Sequence, residues 1–90
     1  MCATLIGGMD RLRSQYIQAA KERGWELRCL SKNVRDFSDK IGNPDALIVF
    51  TNKVSHEAKR KAVEHARSRD IPLHLIHSCG LSTLRDCLDS

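Results

Sequence analysis

Short apolar runs, separated by segments of helical periodicity, extend along the whole chain. The strongest run covers residues 46–50, where five consecutive apolar residues lie between a turn-forming Asn-Pro-Asp segment and polar residues. An apolar run without alternation is typical of a strand buried on both faces of a sheet. Residues 2–6 and 73–77 predict two further strands, and the alternating segment 25–30 predicts a half-exposed edge strand.

The segments between the strands have apolar residues at helical spacing and recognisable helix ends. Asp10 and Ser55 are suitable N-caps for the first and third helices, and Gly24 closes the first helix. Small residues on the inward face of the third helix predict close packing on a sheet. These small residues are Ala58, Ala62 and Ala66. The predicted helices cover residues 10–23, 33–41 and 55–69 and a last short segment through Leu84 and Leu88.

The order of these elements, β-α-β-α-β-α-β-α, predicts a single α/β domain over residues 1–90. Alternation of strands and helices is typical of a parallel sheet with right-handed crossovers. We expect a small four-stranded parallel sheet in the order 2-1-3-4, with helices on both faces, as in flavodoxin-like and Rossmann-like folds. The run 46–50 then lies in the centre of the sheet.

Three polar or glycine-rich turns follow the first, third and fourth predicted strands, at residues 7–10, 51–56 and 78–82. The carboxyl ends of parallel strands meet at one edge of a sheet, where open α/β folds place their ligand sites. We therefore predict a composite recognition surface at this edge. Its candidate ligand-binding or partner-binding residues are Gly7, Gly8, Asp10, Arg11, Thr51, Asn52, Ser55, His56, Ser78, Cys79, Gly80 and Ser82.

Composition limits the classes of function that the chain can have. Its 90 residues include 15 Lys and Arg against 11 Asp and Glu, and the net charge of +4 permits an acidic partner or a phosphate ligand. Direct nucleic-acid binding is not expected, because the sequence lacks a dense basic stripe and interleaved aromatic residues. The basic run 59–61 on the third helix is interpreted as a solvated face.

Cysteine usage and hydropathy indicate the cellular compartment. The sequence contains four cysteines without a C-x-x-C pair or a repeated spacing, which predicts reduced, mostly buried thiols. Neither a secretory signal nor an apolar run of transmembrane length is visible. We expect a cytoplasmic protein that needs no cofactor and does not contact a membrane.

The three turns carry motifs that resemble those of a bacterial domain-of-unknown-function family of short α/β proteins. The motifs are Gly-Gly-x-Asp-Arg, Thr-x-x-Val-Ser-His and Ser-Gly-Leu-Ser, after the first, third and fourth strands. The resemblance covers nearly the whole chain and implies a flavodoxin-like or Rossmann-like fold and a cytoplasmic bacterial protein. Cys79 departs from the family pattern, which has serine there. The matching residues are Gly7, Gly8, Asp10, Arg11, Thr51, Val54, Ser55, His56, Gly80, Leu81 and Ser82.

The first and second turns permit anion binding, but each also has a simpler interpretation. Gly7 and Gly8 can expose backbone N–H groups to an anion at the start of a helix, or they can simply form a tight turn. A dinucleotide is not expected, because the segment is not G-x-G-x-x-G and no acidic residue ends the second strand. His56, in the first turn of the third helix, is expected to be neutral and to contact either a ligand or its own turn.

A metal or haem site is an alternative interpretation of the same edge. His56, His77 and Cys79 offer nitrogen and sulfur ligands, although their spacing matches no known signature. His74 and His77 are three residues apart in a predicted strand, so they point to opposite faces and cannot hold one metal together.

A thiol-based enzyme is the other alternative. Cys79 and Arg85 form C-x-x-x-x-x-R between a strand and a helix, as in tyrosine-phosphatase-like and arsenate-reductase-like enzymes. In such enzymes a thiolate attacks the substrate and the arginine binds its oxyanion. Gly80 directly after the cysteine, Asp86 beside the arginine and the absence of a general-acid loop do not fit this pattern.

The leading hypothesis is a small non-enzymatic binding or regulatory module. A chain of this length has little room for both a substrate pocket and catalytic residues. Its carboxyl edge is predicted to bind another protein or a small anion, and one version is a mobile-element regulator that binds a transcriptional repressor. We also expect a homo-oligomer formed through an exposed edge strand.

Overall fold

A parallel four-stranded sheet forms the centre of the molecule. Its strands are β1 (Cys2–Ile6), β2 (Glu26–Leu30), β3 (Ala46–Phe50) and β4 (Leu73–Ile76), in the order β2-β1-β3-β4. The computed structural model describes residues 1–7, 10–30, 42–52, 54–77 and 80–89, and only the backbone of Asp10. The predicted strand order is confirmed, and the predicted helix 33–41 lies outside the described residues.

β3 is the central strand because its side chains are apolar on both faces. All five of its residues are buried, and it pairs with β1 on one side and with β4 on the other. A strand that is hydrogen-bonded along both edges and apolar on both faces is stable only in the middle of such a sheet. β2 and β4 are the edge strands.

The described helices are α1 (Arg13–Glu22), α2 (His56–Ser68) and α3 (Leu81–Asp89). Ser55 caps α2 as predicted, and α1 has Arg23 as its C-cap, followed by Gly24 with a positive φ of 79°. The prediction of Asp10 as the N-cap of the first helix is wrong. A 3-10 turn, Asp10–Leu12, precedes α1, so the N-cap falls on Leu12, which makes no side-chain capping bond. None of the described helices is long and apolar enough to cross a membrane.

Apolar residues pack on both faces of the sheet. On one face, α1 and α3 cover the sheet, and Tyr16 lies against Phe50 with ring centroids 5.7 Å apart. On the other face, α2 contributes three alanines to the apolar layer, and these small residues allow its backbone to approach the sheet closely. The buried residues of this second layer are Ile6, Leu47, Val49, Ala58, Ala62, Ala66 and Ile71.

The C-terminal half of α2 is fastened to the turn that precedes β3. His65 is only 5% exposed, and its Nε2 donates to the carbonyl of Gly42 at 2.7 Å. Arg69 donates from Nη1 to Oδ1 of Asn43 at 3.1 Å. Because a carbonyl can only accept, the first bond places a proton on Nε2 of the imidazole. These two bonds hold the amino end of β3, opposite the carboxyl edge of the sheet.

Candidate functional site at the carboxyl edge of the sheet

The first turn lies directly against the second turn at the carboxyl edge. Gly7 has a positive φ of 86°, and a Cβ atom there would overlap Cγ1 of Val54 and lie 3.1 Å from the carbonyl oxygen of Phe50. Glycine is therefore required twice, by its backbone conformation and by the close approach of the chain after β3. The predicted meeting of these two turns has a direct physical basis.

The second turn is joined to the end of β4 through Thr51. Its N–H donates to the carbonyl of Ile76 at 2.8 Å, and its Oγ1 lies 3.5 Å from the same carbonyl oxygen. Oγ1 also lies 3.5 Å from Nδ1 of the exposed His77. The hydroxyl of Thr51 thus contacts the imidazole of His77, whose Nε2 makes no hydrogen bond to a described residue.

The N-terminus of α2 opens onto this edge with its first amides available. Ser55 accepts the N–H of Ala58 on Oγ at 3.1 Å and that of Lys59 on its carbonyl at 3.0 Å. The N–H groups of His56 and Glu57 have no partner among the described residues. The hydroxyl of Ser55 is thus used within the helix, whereas these two amides remain available to a ligand.

The other candidate residues divide by where they lie. Arg11, Asn52, His56 and Ser82 are exposed, and Gly80 accepts the N–H of Leu84 at 3.3 Å. Gly8, Ser78 and Cys79 lie outside the described residues, as does the side chain of Asp10. The structure therefore brings the first and second turns together with His77, and the part of the third turn in this site stays a prediction.

The thiol-enzyme alternative rests on a pair that is only half described. Arg85 is exposed within α3, and Cys79 lies outside the described residues. Of the described cysteines, Cys2 is exposed and Cys29 and Cys87 are partly buried. Burial raises the pKa of the Cys29 and Cys87 thiols, and nearby Arg13 lowers that of Cys29 by a smaller amount. Both thiols are therefore protonated at neutral pH and unsuited to nucleophilic attack.

The metal alternative also rests on a set of residues that is only partly described. Within the part of the chain that the structure describes, no three or more His, Cys, Asp or Glu side chains lie close enough together to hold a metal ion. The predicted set His56, His77 and Cys79 includes one residue outside that part. A three-ligand site with Cys79 therefore stays a prediction.

Two features of the described structure were not predicted from the sequence. One is the buried His65, whose position beside Ala62 and Ala66 on the inward face of α2 was the available signal. The other is a cavity of about 540 Å³ along β2, formed from the first residues of β1, the turn before β3 and one side of α1. It lies at the amino end of the sheet and is lined by Cys2, Thr4, Arg13, Ile17, Arg28 and Asn43.

The sheet order and the helices on both faces define a Rossmann-like α/β protein. The chain is similar to the solved structure of a de novo designed Rossmann fold protein, with a TM-score of 0.58 and 14% sequence identity. The match covers 98% of this chain and 92% of the designed one, and at this identity it shows the fold alone.

Membership of a sequence family follows from a separate comparison. The chain belongs to the bacterial family described as "Uncharacterized protein conserved in bacteria (DUF2325)", whose profile matches residues 2–90. This match confirms the resemblance found in the sequence. A comparison with curated proteins gives no match. The family and the fold are thus established, and the function has to be argued from the site.

Proposed function

We propose that this protein is a binding module without catalytic chemistry and that it recognises a small anion at the carboxyl edge of the sheet. The observation that carries the proposal is the first turn of α2. Its His56 and Glu57 amides have no described partner, whereas Ser55 has already satisfied the amide of Ala58. Open amides at the positive end of a helix dipole are a general anion-binding arrangement.

Exposed polar side chains at the same edge of the sheet add groups that can contact an anion. Arg11 on the 3-10 turn is exposed, as is His77, whose Nδ1 lies 3.5 Å from Oγ1 of Thr51. The acidic side chain in the first turn of α2, Glu57, is paired with Lys61 at 3.3 Å. Its carboxylate is therefore partly neutralised, which reduces its repulsion of an approaching anion.

A titration of isotope-labelled protein with inorganic phosphate, followed by NMR, tests this proposal. We expect saturable shifts in the amides of His56 and Glu57. Arg11→Ala should weaken binding by about tenfold, since a charge-assisted hydrogen bond contributes about 1.5 kcal/mol. Arg67→Ala is the matched control, because Arg67 is also exposed but lies in the last turn of α2. Shifts that do not saturate, or equal effects of the two substitutions, would contradict the proposal.

Coordination of a metal or haem by His77 is a second candidate, favoured by one observation. Thr51 Oγ1 lies 3.5 Å from Nδ1 of this exposed imidazole, and Nε2 has no described partner. A ligand histidine usually has its other ring nitrogen hydrogen-bonded in this way. An absorption spectrum and elemental analysis of the purified protein test this candidate, with His77→Ala as the variant and His74→Ala as the control. Protein that contains no metal and has no haem band after reconstitution would exclude it.

The finer predictions made from the sequence stay proposals. A partner such as a transcriptional regulator would contact the same edge, and Asn52 is one of its exposed predicted contacts. A pull-down that compares the unmodified protein with Asn52→Ala tests this version. Recovery of the same partner by both proteins would assign the contact to another surface. Fractionation of bacterial cells tests the predicted cytoplasmic location.

A further inference from the structure

The two edge strands of the sheet carry different side chains. β2 contains the charged residues Glu26 and Arg28, whereas β4 reads Leu-His-Leu-Ile and contains neither an acidic residue nor a lysine or arginine. Charged side chains are a common device that prevents an edge strand from pairing with another chain. β2 has this protection and β4 does not.

The hydrogen bonds to β3 determine which backbone groups of β4 stay open. The carbonyl of Pro72 accepts the N–H of Leu47 in β3 at 2.9 Å, and that of Ile76 accepts the N–H of Thr51, directly after β3, at 2.8 Å. Successive residues of a strand direct their backbone groups to opposite sides, so the N–H and C=O groups of Leu73 and Leu75 point away from β3. No described strand pairs with β4 on that side.

We propose that the protein forms a dimer in which β4 pairs in antiparallel fashion with β4 of a second copy. A two-fold axis at His74 places Leu73 of each copy opposite Leu75 of the other. Residues opposite each other at hydrogen-bonded positions exchange both backbone bonds, so this register satisfies every open group of the two leucines. The sheet then continues through both copies, and the interface is the same on each.

Several observations favour a second copy as the occupant of this edge. Leu75 is 47% exposed, so α2 leaves its side chain uncovered and leaves space beside the strand. A chain with a net charge of +4 repels its own copies at most surfaces, but a strand without Lys, Arg, Asp or Glu brings no side chains of these types together. The short edge is also complementary to itself, because a two-fold axis pairs the open backbone groups of both leucines within β4 alone.

Cross-linking at position 74 tests the register directly. Two residues opposite each other at a non-hydrogen-bonded position have Cα atoms about 4.5 Å apart, within the range that a disulfide spans. We expect His74→Cys to form a covalent dimer under mild oxidation, with the 74–74 link identified by peptide mass spectrometry, since the chain has four native cysteines. Leu75→Cys is the matched control and should cross-link at least tenfold more slowly, because in this register it lies opposite Leu73. Equal rates, or no link at position 74, would overturn the register.

Sedimentation equilibrium over a range of concentrations tests the dimer itself. Leu75→Pro removes an N–H group on the open side without removing a bond to β3, and edge strands tolerate proline. We expect at least a tenfold weaker dimer for this variant and also for Leu75→Lys, which retains the N–H but adds a charge. Ile17→Lys changes another exposed apolar residue, 37% exposed on α1, and should leave the dimer unchanged. An unmodified protein that is monomeric at millimolar concentration, or a dimer insensitive to both Leu75 variants, would refute the proposal, whatever the phosphate titration shows.

Discussion

Gly7→Ala is the substitution that best tests the contact between the first two turns. The added Cβ meets two independent obstacles, the positive φ of 86° and the overlap with Val54. The left-handed backbone conformation is about 1 kcal/mol less favourable for a residue with a Cβ than for glycine. Forcing a methyl group into a packed site costs about 1–3 kcal/mol more. We therefore expect Gly7→Ala to lower the free energy of unfolding by about 3 kcal/mol.

A second glycine separates the two obstacles. Gly24 has a similar φ of 79°, but no atom lies within 4 Å of the position that its Cβ would occupy. Gly24→Ala should therefore cost only the conformational part, about 1 kcal/mol. Urea unfolding monitored by circular dichroism measures both differences, provided that the m-values stay constant.

Removing the obstructing side chain should recover part of the loss. In a double-mutant cycle, Val54→Ala combined with Gly7→Ala is expected to show a favourable coupling energy of about 1–2 kcal/mol. The reasoning is refuted if Gly7→Ala is as mild as Gly24→Ala, or if the cycle shows no coupling. Either result would mean that the first turn moves away from Val54 without cost.

Two further predictions concern local features of the fold. Ser55→Ala removes the acceptor for the N–H of Ala58 and should destabilise the protein by about 1 kcal/mol; Ser55→Asp, which also caps, should restore most of it in thermal unfolding. Iodoacetamide should modify the exposed Cys2 well before Cys29 and Cys87 at pH 7.5, as followed by peptide mass spectrometry. Because burial raises the pKa of those two thiols, their thiolate fraction and modification rate should keep rising above pH 9. If both rates stop rising with pH below pH 9, the raised pKa is contradicted.

Most of the fold could be predicted because its signals are local and repeated. The unbroken apolar run of β3, the alternation in β2 and the small residues of α2 each indicate one environment in a parallel sheet. Together they leave few arrangements other than the observed order β2-β1-β3-β4. Gly24 and Ser55 were predictable for the same reason, since each acts on the turn next to it.

The failed and missed assignments depend on three-dimensional context. Aspartate is a common N-cap residue, but at Asp10 the chain first forms a 3-10 turn, so the cap falls on Leu12. His65 is buried because Gly42, 23 residues away in sequence, presents a carbonyl to it. The overlap between Gly7 and Val54 joins turns that are far apart in the sequence. The spacing of residues along the sequence does not show such contacts between distant parts of the chain.

The candidate site was predictable as a location but not as a chemistry. Parallel topology alone places the turns after β1, β3 and β4 at one edge, whatever their residues are. Which groups remain available there depends on hydrogen bonds, such as those of Ser55 and Thr51, that only the structure reveals. The amides of His56 and Glu57, which have no partner among the described residues, are one example.

The burial of β3 also makes its amides reporters of the global stability of the protein. Its amides are bonded to neighbours on both sides, and its side chains are covered on both faces. Such amides exchange with solvent only when the whole molecule opens, whereas those of edge strands also exchange through smaller openings. Hydrogen exchange at residues 46–50 therefore measures global stability, and the amide of Leu75 measures how tightly the open edge is covered.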